Sequence, residues 1–503
     1  MISKIDKKNS LWNSSIFVIM SLLGFLSFSL NIKSFEASIF GLFILINSIF
    51  GIGSNLDFGF GVSTVKHIAE AQKKEDRELL NYIFTSFLLV FVCLSLLIAF
   101  LFLAYYLLFL KNDELINSLE SYGVKIIFLF LTLTFISRYI SNFLNRVFDG
   151  LGQFILVAKI NLFVAILNTI FMVVIYVYKL EIIYLSIFVF SSSIILFLTL
   201  FYFSANFVHF KIKYFNFGLV KKYALYSINL QLSFFMNSLI DPITKFIIGN
   251  LLGLNFVTYF ETGKKIIDLS NGLIVSAQKA VLNKISEVNL VGKLNQFVNE
   301  ELFIYSKMSN YYSIIAYGIL SPMLCLFIFF WFKSYEAMII FLIFTLPYTL
   351  INFGGCLYAV FMIEGRGIRL FIIQSINLLM TSVFLFFSIA IFKNYLGLVG
   401  FYLATIASIG IIFYFLKKSN SLDILRYLKA SHFTDIIIMS VFLLFELILL
   451  YNFKEQFVLI LFVFWIVYLL VFLKYVKFAF SILYNKLKKF KNITSLFKTA
   501  PLK

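Results

Sequence analysis

Six polar side chains recur along one otherwise apolar stretch: Thr134, Arg138, Ser141, Asn142, Asn145 and Asp149. At about 100° per residue they share a sector of roughly 100° on one helix face, with Arg146 at its edge. The chemistry such a set can perform is recognition. A guanidinium is a fixed cation, and amides and hydroxyls beside it supply hydrogen bonds. In hydrocarbon the stripe would cost several kcal/mol unless it faced protein or water. Two placements satisfy that condition: the wall of a cationic cavity, or a solvated extension of a span that ends early. The cavity is the expectation, because Arg138 has long apolar sequence on one side only.

A second polar face is formed by Ser227, Gln231, Ser238 and Asp241. Lys245 follows one turn after Asp241. It reads either as half of a local ion pair at the outer surface or as a cation at the outer rim of the same cavity. Glu446 lies in the middle of an apolar run, which makes it a functional candidate by default; its place in the thirteenth expected span, outside a twelve-helix core, favours a structural or interface role. Asp57 and Asp149 stand at span ends, and Pro322 and Pro347 fall inside spans, where proline kinks a helix. With Asp241 and Glu446 these form the set of candidate coupling or gating residues. Cys93, Cys325 and Cys356 sit in apolar runs and read as small core residues. His67, His209 and His432 stand alone in polar segments. There is no P-loop, complete G-x-G-x-x-G, H-E-x-x-H or G-x-S-x-G, so no cofactor or metal site is implied.

The elements that must carry these residues follow from composition. The 503 residues are 61% hydrophobic and 13% charged, and mean hydropathy is +0.97. That is too little charge to cover a water-exposed surface. Apolar runs recur from end to end, each long enough to cross roughly 30 Å of hydrocarbon as a helix. They are continuous rather than alternating, which disfavours a barrel. The expected spans are residues 11–30, 37–56, 80–110, 122–148, 154–178, 181–204, 223–240, 242–260, 303–332, 337–362, 368–392, 396–416, 434–452 and 456–480, giving an all-α protein of about 14 transmembrane helices. Asp241 would cap the eighth span and Pro242 would open it. The first apolar run follows Lys4, Lys7 and Lys8, is long and lacks an A-x-A site, so a retained span is expected rather than a cleaved signal.

Basic residues test that count. With both ends in the cytoplasm, 34 of the 42 Lys and Arg fall on the cytoplasmic side and the other eight on the outer side, a strong positive-inside bias. The net charge of +18 therefore reads as topology and contact with anionic lipid, not nucleic-acid binding. Loop lengths repeat six spans apart: a short outer link, one span, then a long polar cytoplasmic segment. An even interval gives parallel repeats. The expected division is a six-helix bundle at 1–213, a second at 214–418, and two further helices with a basic tail at 419–503. The two bundles would face each other in a V-shaped, pseudo-two-fold arrangement.

Three stretches resemble the polysaccharide transporter family. Gly41–Leu42–Phe43 followed by Leu56-Asp57-Phe58-Gly59-Phe60-Gly61 and Lys66-His67-Ile68-Ala69-Glu70 is similar to its second-span signature. Asp241-Pro242 with Ile248-Gly249-Asn250-Leu251-Leu252-Gly253 is similar to the opening of its second bundle. Phe148-Asp149-Gly150-Leu151-Gly152-Gln153 is similar to its link between spans four and five. The resemblance implies a flippase of the superfamily that also holds multidrug exporters and peptidoglycan lipid flippases. Its nearest relatives would be O-antigen (Wzx-type) or capsule-unit translocases of the bacterial inner membrane. Such proteins move an undecaprenyl-diphosphate-linked glycan between leaflets; membrane lipid and other polysaccharide-assembly proteins are the further candidate partners. On that reading Arg138, Arg146 and Lys66 would receive the pyrophosphate. Lys245 would meet it near the exit, and Ser141, Asn142, Asn145 and Gln231 would bind sugar hydroxyls. A proton or sodium gradient is the candidate driving force, with no carboxylate assigned as its carrier. Multidrug export and a membrane glycan polymerase or ligase are the alternatives. The first is disfavoured by Arg138 in the polar stripe, the second by short outer loops.

Overall fold

The computed structural model describes residues 4–54, 60–108, 123–224, 228–290, 293–363, 367–420 and 422–477. Asp57, Lys111 and Ser227 lie outside them, as does the side chain of Gln231. Helices account for nearly everything described, and no strand occurs among the described residues. The cause is the solvent: hydrocarbon offers no partner to backbone N–H and C=O groups, so each apolar run closes its own hydrogen bonds.

In chain order the helices are α1 (Lys4–Ser34), α2 (Ala37–Ser54), α3 (Phe60–Lys73), α4 (Arg77–Leu108), α5 (Val124–Gly150), α6 (Phe154–Tyr178), α7 (Ile182–Ser204), α8 (Phe217–Ala224), α9 (Ile228–Leu251) and α10 (Leu254–Leu290). Next come α11 (Leu294–Glu300), α12 (Leu302–Ser313), α13 (Ser321–Phe332), α14 (Tyr335–Ile363), α15 (Gly367–Phe392), α16 (Gly400–Asn420), α17 (Ile424–Ala430), α18 (Phe433–Asn452) and α19 (Phe457–Val471). Among the described residues, nine helical segments are long and apolar enough to cross a bilayer, and the pair Leu302–Ile319 and Ser321–Phe332, bent by 47°, makes a tenth if it is one span. The chain is thus a multi-pass membrane protein. Of the other expected spans, two correspond to the shorter apolar helices Val18–Ser34 and Ala37–Gly53. The remaining two correspond to α9 and α10, which carry charge along their length.

One expectation is corrected here. No turn separates Asp241 from Pro242: α9 runs unbroken from Ile228 to Leu251 with Pro242 inside it. The helix stops at Gly253, whose φ of +106° is open to glycine. The N–H groups of Leu252 and Gly253 both donate to the Ile248 carbonyl, at 2.9 and 3.2 Å, closing the end as a left-handed cap. Proline costs one backbone hydrogen bond, which a membrane helix tolerates when neighbours pack against it. The span boundary therefore moves about ten residues, and Asp241 and Lys245 become mid-helix residues.

Lysine ends three other spans. Lys179, Lys333 and Lys393 each adopt positive φ, near 51–52°, and their N–H groups bond back to Ile175, Phe329 and Ile389. A cation at a helix C-terminus complements the dipole, and its head can reach the polar interface.

The chain packs as two compact units, Met1–Glu261 with Arg366–Gly400, and Thr262–Gly365 with Phe401–Lys503. In the first, α5 lies along α7 and α4 with α3 against it; α1 packs on α6, and α9 packs along α15 and against α2. Close approach demands small residues: a Cβ on Gly41 would collide with the Leu254 carbonyl oxygen, and one on Gly150 would sit 2.8 Å from Ile68. In the second unit α14 is central, packing on α12, α13 and α18. Every side chain from Ala337 to Leu346 is buried, as expected for a helix apolar all round. Pro347 lies inside α14. Pro322 lies in the first turn of α13, just past the 47° bend. There the Ser321 hydroxyl donates to the Gly318 carbonyl at 2.8 Å, covering the acceptor that proline leaves without its N–H partner. The division expected at 1–213, 214–418 and 419–503 remains a proposal.

Candidate functional site

The polar stripe lies on α5, and its exposure changes along the helix. In the first half, the sector that continues it holds Phe128, Leu131 and Phe135, all buried. Phe50 and Phe102 close over them, with ring centroids 4.8–6.3 Å apart. In the second half the same sector opens: Arg138, Asn142 and Arg146, at i, i+4 and i+8, are exposed, while Tyr139, Phe143, Leu144 and Val147 around them are buried. An aromatic floor thus ends one turn before the first guanidinium.

Within this face the groups differ. Arg138 forms no ion pair or hydrogen bond with any described residue. Arg146 is loosely paired with Asp149, at 3.9 Å, and is 54% exposed. Asn145 is half-buried, and its Oδ1 accepts no hydrogen bond among the described residues. Ser141 does not join the open face: it is buried and its hydroxyl donates to the Ser137 carbonyl at 2.8 Å. Thr134 likewise bonds back to Phe130, at 2.7 Å. The open set is therefore Arg138, Asn142, Asn145, Arg146 and Asp149.

Lys66 is exposed on α3, the helix that packs against α5. One residue later His67 is not alone: its Nδ1 lies 2.9 Å from Glu70 Oε2. That hydrogen bond, aided by charge, holds the Glu70 carboxyl below its ordinary range.

Lys245 forms the local pair with Asp241, one of the two arrangements its sequence allows, and it does so in the interior: it is buried at 5% exposure, with Nζ 2.7 Å from Asp241 Oδ2 and 2.8 Å from Glu261 Oε2. Glu261, on α10, belonged in sequence to a polar segment and attracted no role. The signal that finds it is register: Lys245 is eight residues before Gly253 and Glu261 eight after. Residues equidistant from the turn of a helical hairpin lie side by side. Glu446 is fully buried on α18 and accepts a hydrogen bond from the Tyr468 hydroxyl of α19 at 2.9 Å. Its Oε1 has no partner among the described residues. These contacts join two helices of the second unit.

The family model for polysaccharide biosynthesis proteins matches residues 7–283. No curated protein sequence matches the chain. Among solved structures, the lipid II flippase MurJ in an inward closed conformation superposes with a TM-score of 0.66 at 18% identity, covering 95% of this chain and 99% of that one. An inward-facing multidrug transporter of the MATE family gives 0.65 at 16%, covering 82% and 98%. A transporter of the same superfamily from Pyrococcus furiosus, noted for the reverse polarity of its binding pocket, gives 0.61 at 16%, covering 82% and 94%. At these identities the likeness is one of fold.

Proposed function

From the premise that this chain belongs to the polysaccharide biosynthesis protein family, we propose that it is a flippase for a lipid-linked glycan. The substrate would be an undecaprenyl-diphosphate-linked O-antigen or capsule unit, moved from the cytoplasmic to the periplasmic leaflet of the bacterial inner membrane. The observation that carries this reading is the open half of the α5 stripe, with Arg138 unpaired and Asn142 and Arg146 in line with it.

The physical problem is the head group. Its tail can stay in lipid, but a pyrophosphate and several sugars must cross hydrocarbon. Stripping water from an anion costs many kcal/mol unless fixed cations replace the lost hydration. Arg138 suits this because no protein carboxylate already claims it, and its planar fork matches phosphate oxygens. Arg146, held loosely by Asp149, and Lys66 on α3 would add charge toward the cytoplasmic mouth. Asn142 and Asn145 would exchange hydrogen bonds with sugar hydroxyls. Exposing this face alternately to the two sides is the proposed cycle. The Asp241–Lys245–Glu261 cluster, two half-buried acids around a buried lysine, supports a coupling role for Asp241, with a proton or sodium gradient as the source of work. A cationic face repels cationic drugs, which separates this reading from multidrug export.

The deciding experiment is deletion of the gene followed by identification of the lipid-linked glycan retained on the cytoplasmic leaflet, with complementation by Arg138→Ala. Accumulation that the wild type relieves and a folded, inserted Arg138→Ala does not is the expected result. Full relief by that variant would remove Arg138 from the transport route.

A further inference from the structure

Between Glu181 and Asp241 the chain contains no Asp or Glu, yet it contains Lys211, Lys213, Lys221 and Lys222. The first two lie in the link from α7 to α8, residues 205–216, where basic and apolar side chains interleave: Phe207, His209, Phe210, Lys211, Ile212, Lys213, Phe215. This link is held in place. The His209 N–H donates to Asn81 Oδ1 at 2.8 Å, and the Asn216 N–H donates to Ser86 Oγ at 2.9 Å. The Tyr214 ring meets Tyr82 edge-on at 5.2 Å, and Phe207 meets Phe148 at 6.0 Å. All four anchors belong to α4 or α5, so the link is a fixed part of the first unit.

The fixed link nevertheless exposes grease. Ile212 is 74% and Phe217 68% accessible, and Phe207, Phe210 and Phe215 are each near 40%. Beside them a cleft of about 270 Å³ is lined by Phe84, Phe201, Val208, His209, Phe210 and Lys211. The link begins one residue past the end of α7, itself long and apolar enough to be a span, and the end of a span is where hydrocarbon gives way to head groups. Aromatic rings and lysines with apolar stems are at home in that layer, and an exposed apolar cluster in water is not. Lys211 makes no ion pair with a described residue, and Lys213 rests over the Tyr214 ring at 5.2 Å. The first turn of α4 adds Arg77 and Glu78, which cancel, so the local surplus is that of the lysines.

We infer that this link and its cleft form a binding site for an anionic glycerophospholipid of the surrounding leaflet. The phosphate head meets Lys211 and Lys213, and an acyl chain lies along Phe201, Phe210 and Ile212. The site is separate from the α5 stripe and does not depend on what that stripe transports.

The test uses the purified full-length chain in detergent, stripped of lipid, then offered phosphatidylglycerol or phosphatidylcholine, with native mass spectrometry counting the lipid retained. Phosphatidylglycerol should be retained preferentially, and Lys211→Gln with Lys213→Gln should weaken that retention roughly thirty-fold. Lys211→Arg with Lys213→Arg should restore it, and the melting temperatures of all three proteins should agree. Equal retention of the two lipids, or unchanged phosphatidylglycerol retention in the Gln variant, would overturn the assignment. So would displacement of the lipid by inorganic pyrophosphate, which would mark a free-anion site instead. Because the readout is lipid retention, failure here leaves the transport proposal standing.

Discussion

Arg138 and Lys245 are both cations within membrane helices of the same compact unit, and they meet opposite conditions. Arg138 is exposed on α5 with no described counter-charge. Lys245 is buried on α9 between Asp241 and Glu261, both under 3 Å away. A cation in hydrocarbon must be neutralised by something. Lys245 is neutralised by the protein itself and so has a structural claim on its surroundings. Arg138 has no counter-charge among the described residues, which leaves it available for the binding role proposed above. Charge in a span is thus a weak guide to function until its partners are known.

The comparison breaks most readily at Lys245. Lys245→Met removes the buried cation that two half-buried carboxylates share and should cost about 1–3 kcal/mol, read as a fall in melting temperature of the purified protein. Adding Asp241→Asn and Glu261→Gln should recover most of the loss. An unchanged melting temperature in the single variant would make Lys245 as open as Arg138. Arg138→Ala should do the reverse. Its melting temperature should match the wild type, while transport of the lipid-linked unit falls roughly tenfold to a hundredfold, the range of one to two charged hydrogen bonds. Arg138→Lys, which keeps charge without the fork, should fall between.

Glu446 sharpens the contrast from the second unit, as a buried carboxyl paired with a hydroxyl and not a cation. Glu446→Gln, which can still accept from Tyr468, should therefore melt within about 1 kcal/mol of the wild type. Tyr468→Phe, which strips the acid of its donor, should cost about 1–3 kcal/mol. A Gln variant that unfolds would show that the carboxylate form is needed.

Sequence periodicity placed the helices and the α5 stripe because both are local properties, set by apolar runs and by 3.6 residues per turn. It misplaced the break at Asp241–Pro242 because proline is a helix breaker in water, whereas here the neighbouring α15 and α2 support α9 through it. Glu261 escaped notice for a related reason. A turn at residue 241 shifts the register of the hairpin, and the acid eight residues past Gly253 then faces no partner. Asp57 and the Gln231 side chain lie outside the described residues. Burial along the stripe is also non-local. The sequence has no way to show that Phe50 and Phe102 cover its first half and leave the second open.

The smallest expected effect tests that last point directly, by comparing neighbours on one helix. Ser141 and Asn142 are adjacent in the chain and both polar, so sequence assigns them the same role. In the structure Ser141 is buried with its hydroxyl bonded to the Ser137 carbonyl, while Asn142 is exposed beside Arg138. A Ser hydroxyl that back-bonds within its own helix offers no free group to a ligand and adds little to the helix. Ser141→Ala should therefore leave transport within about twofold and stability within about 0.5 kcal/mol. Asn142→Ala should leave stability equally untouched but slow transport several-fold, by about one hydrogen bond's worth. Initial rates for the two variants in the same vesicle preparation provide the measurement. Should Ser141→Ala slow transport as much as Asn142→Ala, the open face would have to be wider than this structure draws it, with Ser141 turning outward when the glycan arrives.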